Sequence, residues 1–203
     1  MSMQNRTVRE RRFDIDIALA VMIGCLLIGV LAGVLAYCFM DNSISSQLID
    51  ANTEYLEFRK ENDFGRILID SFFVSTLFIG AEFLCGLFAL GQLPALGVLI
   101  YKGMGIGVIL SQGYTIYESS RIVSLIAIIV PAAIVSCYGA ALAAKEAVRL
   151  SGRLLLILFS NDSFTGLSEH FRAYGVRFLC IEAIISVSAA VDCVCSVFLA
   201  SKL

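Results

Sequence analysis

Four ionisable side chains lie inside stretches of this sequence that are otherwise apolar. They are Glu82, Lys102, Glu182 and Asp192. An ionisable group in an apolar, membrane-like setting is costly, so each needs either a partner or a function. The chemistry open to such groups is a structural ion pair or the relay of an ion or a proton.

Glu82 and Lys102 are the two charged residues whose positions most clearly predict a contact. Each lies ten residues from Gln92, the middle of the short connection between two apolar stretches. In antiparallel helices, equal distance from the turn means equal depth. The sequence therefore predicts an intramembrane ion pair about 12–15 Å from one membrane face. Two roles remain open for it, a salt bridge that fixes the register of the hairpin and an ion or proton relay.

The last apolar stretch carries two acids that we expect to be buried. Glu182 lies near its start, where it is expected to reach towards Lys145 or Arg149. Asp192 lies ten residues further along, with no obvious cation nearby in the sequence. We expect Asp192 to be held by a hydrogen bond as a neutral acid.

Residue types that support catalysis are present in the chain, but their spacing forms no recognisable catalytic motif. The single histidine, His170, has no second ligand near it, and no Ser-His or Cys-His arrangement is visible. Seven cysteines, an odd number within apolar stretches, are typical of small buried apolar side chains. The sequence predicts a protein without enzymatic activity, cofactor or metal.

The composition excludes a large soluble catalytic domain. Of 203 residues, 59% are apolar and 16% charged, whereas soluble domains have about 45–50% and about 25%. The net charge of −2 comes without a basic patch that could neutralise phosphates, which argues against nucleic acid.

Uncharged or nearly uncharged stretches of about 20 residues are long enough to cross a membrane. The sequence predicts an all-α polytopic membrane protein, a single helical domain over 1–203. Its mixed-charge segments are an outer segment at 41–66 and a cytoplasmic segment at 145–177. The five predicted spans are 17–40, 67–91, 94–112, 122–144 and 178–200.

The distribution of basic residues predicts the orientation. With the N-terminus in the cytoplasm, the cytoplasmic segments hold nine Lys and Arg and the outer segments hold five. The excess follows the positive-inside rule, so we expect a cytoplasmic N-terminus and, after five spans, an outer C-terminus.

The outer segment 41–66 combines acidic residues with a narrow apolar stripe. The stripe recurs at helical spacing, which predicts an amphipathic helix. It packs either against its own bundle or on the membrane or a neighbour. Its members are Ile44, Leu48, Ala51, Tyr55 and Phe58.

Two small-residue motifs predict close helix packing. Gly29 and Gly33 lie four residues apart in the first span, and Gly103 and Gly107 in the third. Without Cβ atoms, two backbones can approach closely in lipid. The sequence leaves open whether these glycines serve packing within the chain or self-association into a homo-oligomer.

The hairpin and the fourth span carry a family resemblance. Leu93-Pro94 is followed by Tyr101-Lys102-Gly103-Met104-Gly105-Ile106-Gly107-Val108. A span with a central proline, Val130-Pro131-Ala132-Ala133, then leads through Gly139-Ala140-Ala141-Leu142 into a basic stretch. With one leading span and one trailing span, the chain resembles the stage II sporulation protein M family. It departs from the family at Ala132-Ala133, where many relatives have polar residues.

The resemblance implies a scaffold in the cytoplasmic membrane of an endospore-forming bacterium. Such a protein anchors two peptidoglycan-remodelling partners, stage II sporulation proteins D and P, at the septal membrane during engulfment, and has no hydrolase activity of its own. The acidic outer segment then offers a candidate docking surface for those partners at Glu54, Glu57 and Glu61.

Two other functions stay open from the sequence. A small transporter or permease subunit would use Glu82, Lys102, Glu182 and Asp192 to line a polar path. An intramembrane enzyme is suggested only by Asp192, the acid with no cation near it in the sequence.

Overall fold

The computed structural model describes residues 2–61, 64–116, 119–160 and 167–199, and over these ranges the chain is almost entirely α-helical. The helices are α1 (Ser2–Cys38), α2 (Asn42–Glu61), α3 (Phe64–Gly86), α4 (Gln92–Ile116), α5 (Ser119–Ser160) and α6 (Leu167–Leu199).

Five of the helices are long and apolar enough to cross a membrane, which is compatible with a multi-pass membrane protein. The stretches that meet this criterion are Ile17–Cys38, Phe64–Gly86, Gln92–Thr115, Ile129–Phe159 and Ser168–Val197. The all-α class with five candidate spans is therefore confirmed.

Helices α5 and α6 extend well beyond the fourth and fifth predicted spans. α5 continues through Lys145 to Ser160, and α6 begins at Leu167, eleven residues before the predicted start at 178. The charges at 145–153 end an apolar stretch without ending a helix, because they alternate with the buried residues Ala147, Leu150 and Ser151. The segment 145–177 is thus largely the continuation of two helices.

The connection between α3 and α4 lies earlier than the sequence predicts. Residues 87–91 form consecutive turns, with Leu87 N donating to Leu84 O at 3.1 Å and Gly91 N to Phe88 O at 3.0 Å. Gln92, the predicted middle of the connection, begins α4 instead. Pro94 is accommodated in the first turn of α4, where its missing N–H costs no helical hydrogen bond.

Specific contacts fix the relative directions of the helices. Gly29 and Gly33 of α1 face Ile100 and Met104 of α4, so these two helices run parallel. α3 and α6 run antiparallel, because Cys193 Sγ contacts Phe64 O at 3.1 Å and Tyr174 Oη donates to Phe83 O at 3.0 Å.

The bundle therefore has two distinct ends. The turn end carries residues 87–91, the end of α5 and the start of α6, and is held there by Ser151 Oγ donating to Ala89 O at 3.0 Å. The opposite end, here called the α2 end, carries the start of α3 and the end of α6.

Small residues and aromatic rings fill the interior. α5 contributes an alanine-rich face that is completely buried, and Phe83, Tyr174 and Phe178 form an aromatic cluster with ring centres 4.6–5.1 Å apart. The exterior is apolar, with Leu31, Ile69 and Leu179 all more than 60% exposed. An apolar exterior around a core that also holds charged groups suits a lipid environment rather than water.

Candidate functional site

Polar side chains from four helices meet inside the bundle. We call this set the polar seam, and it runs along α3 between the turn end and the α2 end. α3 supplies hydroxyl groups, α4 a lysine, α5 a serine and α6 two acids. The members are Ser71, Ser75, Thr76, Glu82, Lys102, Ser136, Glu182 and Asp192.

Lys102 is buried and held by a hydroxyl group. Its side chain is 9% exposed, and its Nζ donates to Ser136 Oγ at 2.7 Å. The same Nζ lies 5.0 Å from the centre of the Phe78 ring, within the range of a cation–π interaction. Ser136 Oγ in turn lies 3.5 Å from Ser75 Oγ on α3.

Glu82 is fully buried, and neither of its carboxylate oxygens has a hydrogen-bond partner among the described residues. The predicted direct ion pair with Lys102 is therefore wrong in this structure. A carboxylate so enclosed needs a proton or a cation as its partner, because isolated ions are very costly in an apolar interior.

The failed pairing follows from the position of the turn. Glu82 lies four residues before the end of α3, whereas Lys102 lies ten residues after the start of α4. The difference of six residues separates the two positions by about 9 Å along the helix axis. The Nζ of Lys102 accordingly lies beside Ser136 and the ring of Phe78 and does not reach Glu82.

Glu182 is bound by α3 and not by the basic residues of α5. Its Oε2 accepts a hydrogen bond from Thr76 Oγ1 at 3.1 Å. The predicted contact with Lys145 or Arg149 is not formed. Arg177 and Arg149 form ion pairs with Glu146 instead. Glu182 lies five residues beyond Arg177 on α6, which places it about 7 Å deeper in the bundle.

Asp192 is also held by α3. Its side chain is 9% exposed and accepts a hydrogen bond from Ser71 Oγ. The predicted hydrogen bond to this acid is therefore present, with a hydroxyl group from another helix as the donor.

The hydroxyl partners are the part of the site that the sequence analysis missed. Ser71 and Ser75 are one turn apart on α3, so they share a face, and Thr76 is adjacent to that face. Hydroxyl groups recurring at this spacing in an apolar helix could have indicated which helix donates hydrogen bonds to the acids.

The predicted packing glycines lie at one interface, between α1 and α4. A methyl group added at Gly29 or Gly33 would overlap the backbone carbonyl groups of Ile100 and Met104, and one added at Gly103 or Gly107 would overlap those of Leu26 and Val30. Of the two uses left open by the sequence, this structure shows packing within the chain.

The candidate docking surface lies on α2. Glu54 and Glu57 are exposed, while the side chain of Glu61 lies outside the described part. The apolar stripe is only partly covered at its described positions, since Ile44 is 49% exposed and Ala51 is exposed, whereas Leu48 is half-buried. Tyr55 and Phe58 also have side chains outside the described part.

Residue types that commonly bind metals are present but do not cluster among the described residues. Within them, no group of three or more His, Cys, Asp and Glu could hold a metal ion. The seven cysteines all lie in the described residues, and none of them forms a disulfide there. No family model, curated protein or solved structure matches this chain.

Proposed function

We propose that this chain is a non-enzymatic membrane scaffold of the stage II sporulation protein M type. It anchors peptidoglycan-remodelling partners, stage II sporulation proteins D and P, at the septal membrane during engulfment. The observation that carries the proposal is α2, a 20-residue helix at one end of the bundle with its described acids Glu54 and Glu57 exposed.

The architecture supports a role in holding partners. The five long helices form a packed bundle, whereas the described face of α2 is left uncovered at Ile44, Ala51 and the two glutamates. A helix with an apolar stripe and adjacent acids suits a partner with an apolar groove rimmed by basic residues. The partners are named from the resemblance of residues 93–108 and 130–142 to the stage II sporulation protein M family.

Orientation is part of the proposal. The basic residues of 1–16 and 145–177 favour a cytoplasmic turn end, which places α2 outside the membrane. Peptidoglycan and the domains that remodel it are on that side, so α2 then faces the partners.

The first test is deletion of the gene, followed by imaging of membrane-stained cells during starvation. Arrest with a flat polar septum and no migration of the mother-cell membrane is the expected result. Normal engulfment in the deletion strain would remove the assignment to sporulation.

The docking surface is tested by reversing its charges. Changing Glu54, Glu57 and Glu61 to Lys should weaken co-purification of the partners about tenfold, because complementary surface charge governs the rate of association. Glu169→Lys is the matched control, since Glu169 is exposed at the opposite end of the bundle. Equal recruitment by the triple variant and the control would contradict docking at α2.

A second candidate function, a small transporter or permease subunit, is favoured by Glu82. A fully buried carboxylate with no hydrogen-bond partner among the described residues can take up a proton or a cation, which is one step that a transport path requires. The double variant Glu82→Gln with Lys102→Met distinguishes the two functions. A scaffold should still recruit its partners with this double change, whereas a transporter should lose ion flux in proteoliposomes.

A further inference from the structure

A cleft opens between α5 and α6 at the turn end of the bundle. Its cavity volume is about 30 Å³, and it is open to the outside. Most of its lining is charged or polar, and three of its side chains are guanidinium groups. The residues that matter are Glu146, Arg149, Arg153, His170, Tyr174 and Arg177.

The cleft carries an excess of positive charge. Arg177 forms an ion pair with Glu146, and Arg149 lies 3.9 Å from the same carboxylate. One carboxylate thus faces three guanidinium groups, which leaves a net charge of +2 when His170 is neutral.

Arg153 is positioned by a neutral group. Its Nη1 lies 3.0 Å from His170 Nδ1. Since arginine has no acceptor, the imidazole nitrogen must accept this hydrogen bond. The contact fixes the guanidinium group without cancelling its charge, so it can still bind an anion.

The depth of the cleft matches the edge of the apolar zone. Tyr174, in its wall, donates to Phe83 O near the end of α3, and Ser151 of α5 donates to Ala89 O in the turn. The cleft is therefore level with the point where the α3–α4 hairpin leaves the apolar part of the bundle.

Exposed side chains without charge continue from the cleft towards the α2 end. Tyr138, three helical turns before Arg149 on the same face of α5, is 48% exposed. On α6, Cys180 follows Arg177 by one turn and is exposed, and Val187 is 58% exposed. Apolar surface thus lies beside the basic cleft at the depth of lipid chains.

We propose that this cleft binds the phosphate headgroup of an anionic membrane lipid, with the lipid's chains lying along the exposed face of α5 and α6. Basic pockets between helices at a membrane face are suited to such headgroups. Arginine also presents paired donors that match phosphate oxygens. The proposal is independent of the scaffold function and of which membrane face the cleft occupies.

The test is native mass spectrometry of the full chain in detergent, titrated with palmitoyl-oleoyl phosphatidylglycerol. Phosphatidylcholine with the same chains tests the need for net charge, and inorganic phosphate at matched ionic strength tests the need for chains. The wild type should retain phosphatidylglycerol in preference to both.

Three variants locate the binding. Arg153→Gln should weaken retention of phosphatidylglycerol about fivefold, the effect of about one basic residue at an anionic surface. Glu146→Gln should strengthen it, because the cleft loses its one carboxylate. A gain in binding cannot arise from misfolding. Arg172→Gln is the matched control, an exposed arginine on α6 that does not line the cleft.

Each contrary outcome is informative. Equal retention of phosphatidylcholine would overturn recognition of a net negative charge, and equal binding of inorganic phosphate would reduce the cleft to a site for small anions. Equal effects of Arg153→Gln and Arg172→Gln, with none from Glu146→Gln, would place the lipid elsewhere.

Discussion

At the scale of single residues, Lys102 and Glu182 are bound by hydroxyl groups and not by the partners of opposite charge that the sequence suggested. Lys102 donates to Ser136, Glu182 accepts from Thr76 and Asp192 accepts from Ser71. A hydrogen bond to a charged group contributes about 1.5–3 kcal/mol, more than one between neutral groups. Three of the four ionisable groups are therefore stabilised across helix interfaces.

The contact between Lys102 and Ser136 can be tested by a double-mutant cycle. Lys102→Met and Ser136→Ala should each destabilise the bundle, and their combination should cost about 1–2 kcal/mol less than the sum, because the two changes remove one shared interaction. The free energy of unfolding in mild detergent is the quantity to measure. The control pairs Lys102→Met with Ser186→Ala. The native Ser186 hydroxyl group donates to Glu182 O on its own helix and does not contact Lys102. Strict additivity in both pairs would contradict the contact.

The sequence predicted the burial of Glu82, Lys102 and Asp192 but not their partners, whereas Glu182, also expected to be buried, is only half-buried. The burial of Glu82 and Lys102 follows from their position in apolar stretches, where no alternative environment exists. The prediction that they pair depended on the location of the turn between α3 and α4. Because that turn lies a few residues earlier than predicted, Lys102 is beside Phe78 and not beside Glu82. Predicting the partners of a buried group therefore requires the register between the helices, which cannot be obtained from composition.

At the scale of the helices, the glycine contacts explain why α1 packs on α4. The backbones meet directly at Gly29, Gly33, Gly103 and Gly107. The sequence predicted that these positions permit close approach, but it left the partner open. The choice of partner is set by the parallel course of α1 and α4, which depends on the whole path of the chain.

A single methyl group tests this interface. Gly103→Ala should destabilise the bundle by about 1–3 kcal/mol, because a Cβ there would overlap the Leu26 carbonyl and neither backbone can yield freely. Gly105→Ala, two residues away and with nothing within 4 Å of the added atom, should leave the melting temperature unchanged or raise it slightly. Thermal unfolding in detergent compares them, and equal melting temperatures would contradict tight packing at Gly103.

At the scale of the whole molecule, the number of candidate spans was predictable and their ends were not. The length of the apolar stretches identified all five candidate membrane spans. The ends of α5 and α6 were missed because charge marks where an apolar zone stops, whereas a helix continues as long as one face remains buried.

Orientation is tested by thiol labelling in intact cells. In a Cys38→Ser background, Ala51→Cys on α2 should react with a membrane-impermeant maleimide before permeabilisation, because the basic excess favours α2 outside. Ser168→Cys, exposed at the start of α6, should react only afterwards. The reverse pattern would place α2 in the cytoplasm, where no peptidoglycan partner could reach it.

The length of α1 has a mechanical consequence. α1 runs unbroken for 37 residues, and neither of the two prolines of the chain lies in it. Because Gly29 lies beside Ile100, the first part of α1 extends about 28 Å beyond the start of α4. Because the two backbones touch at the glycine contact, we expect a sideways displacement of this extension to be passed on to α4, the helix that carries Lys102.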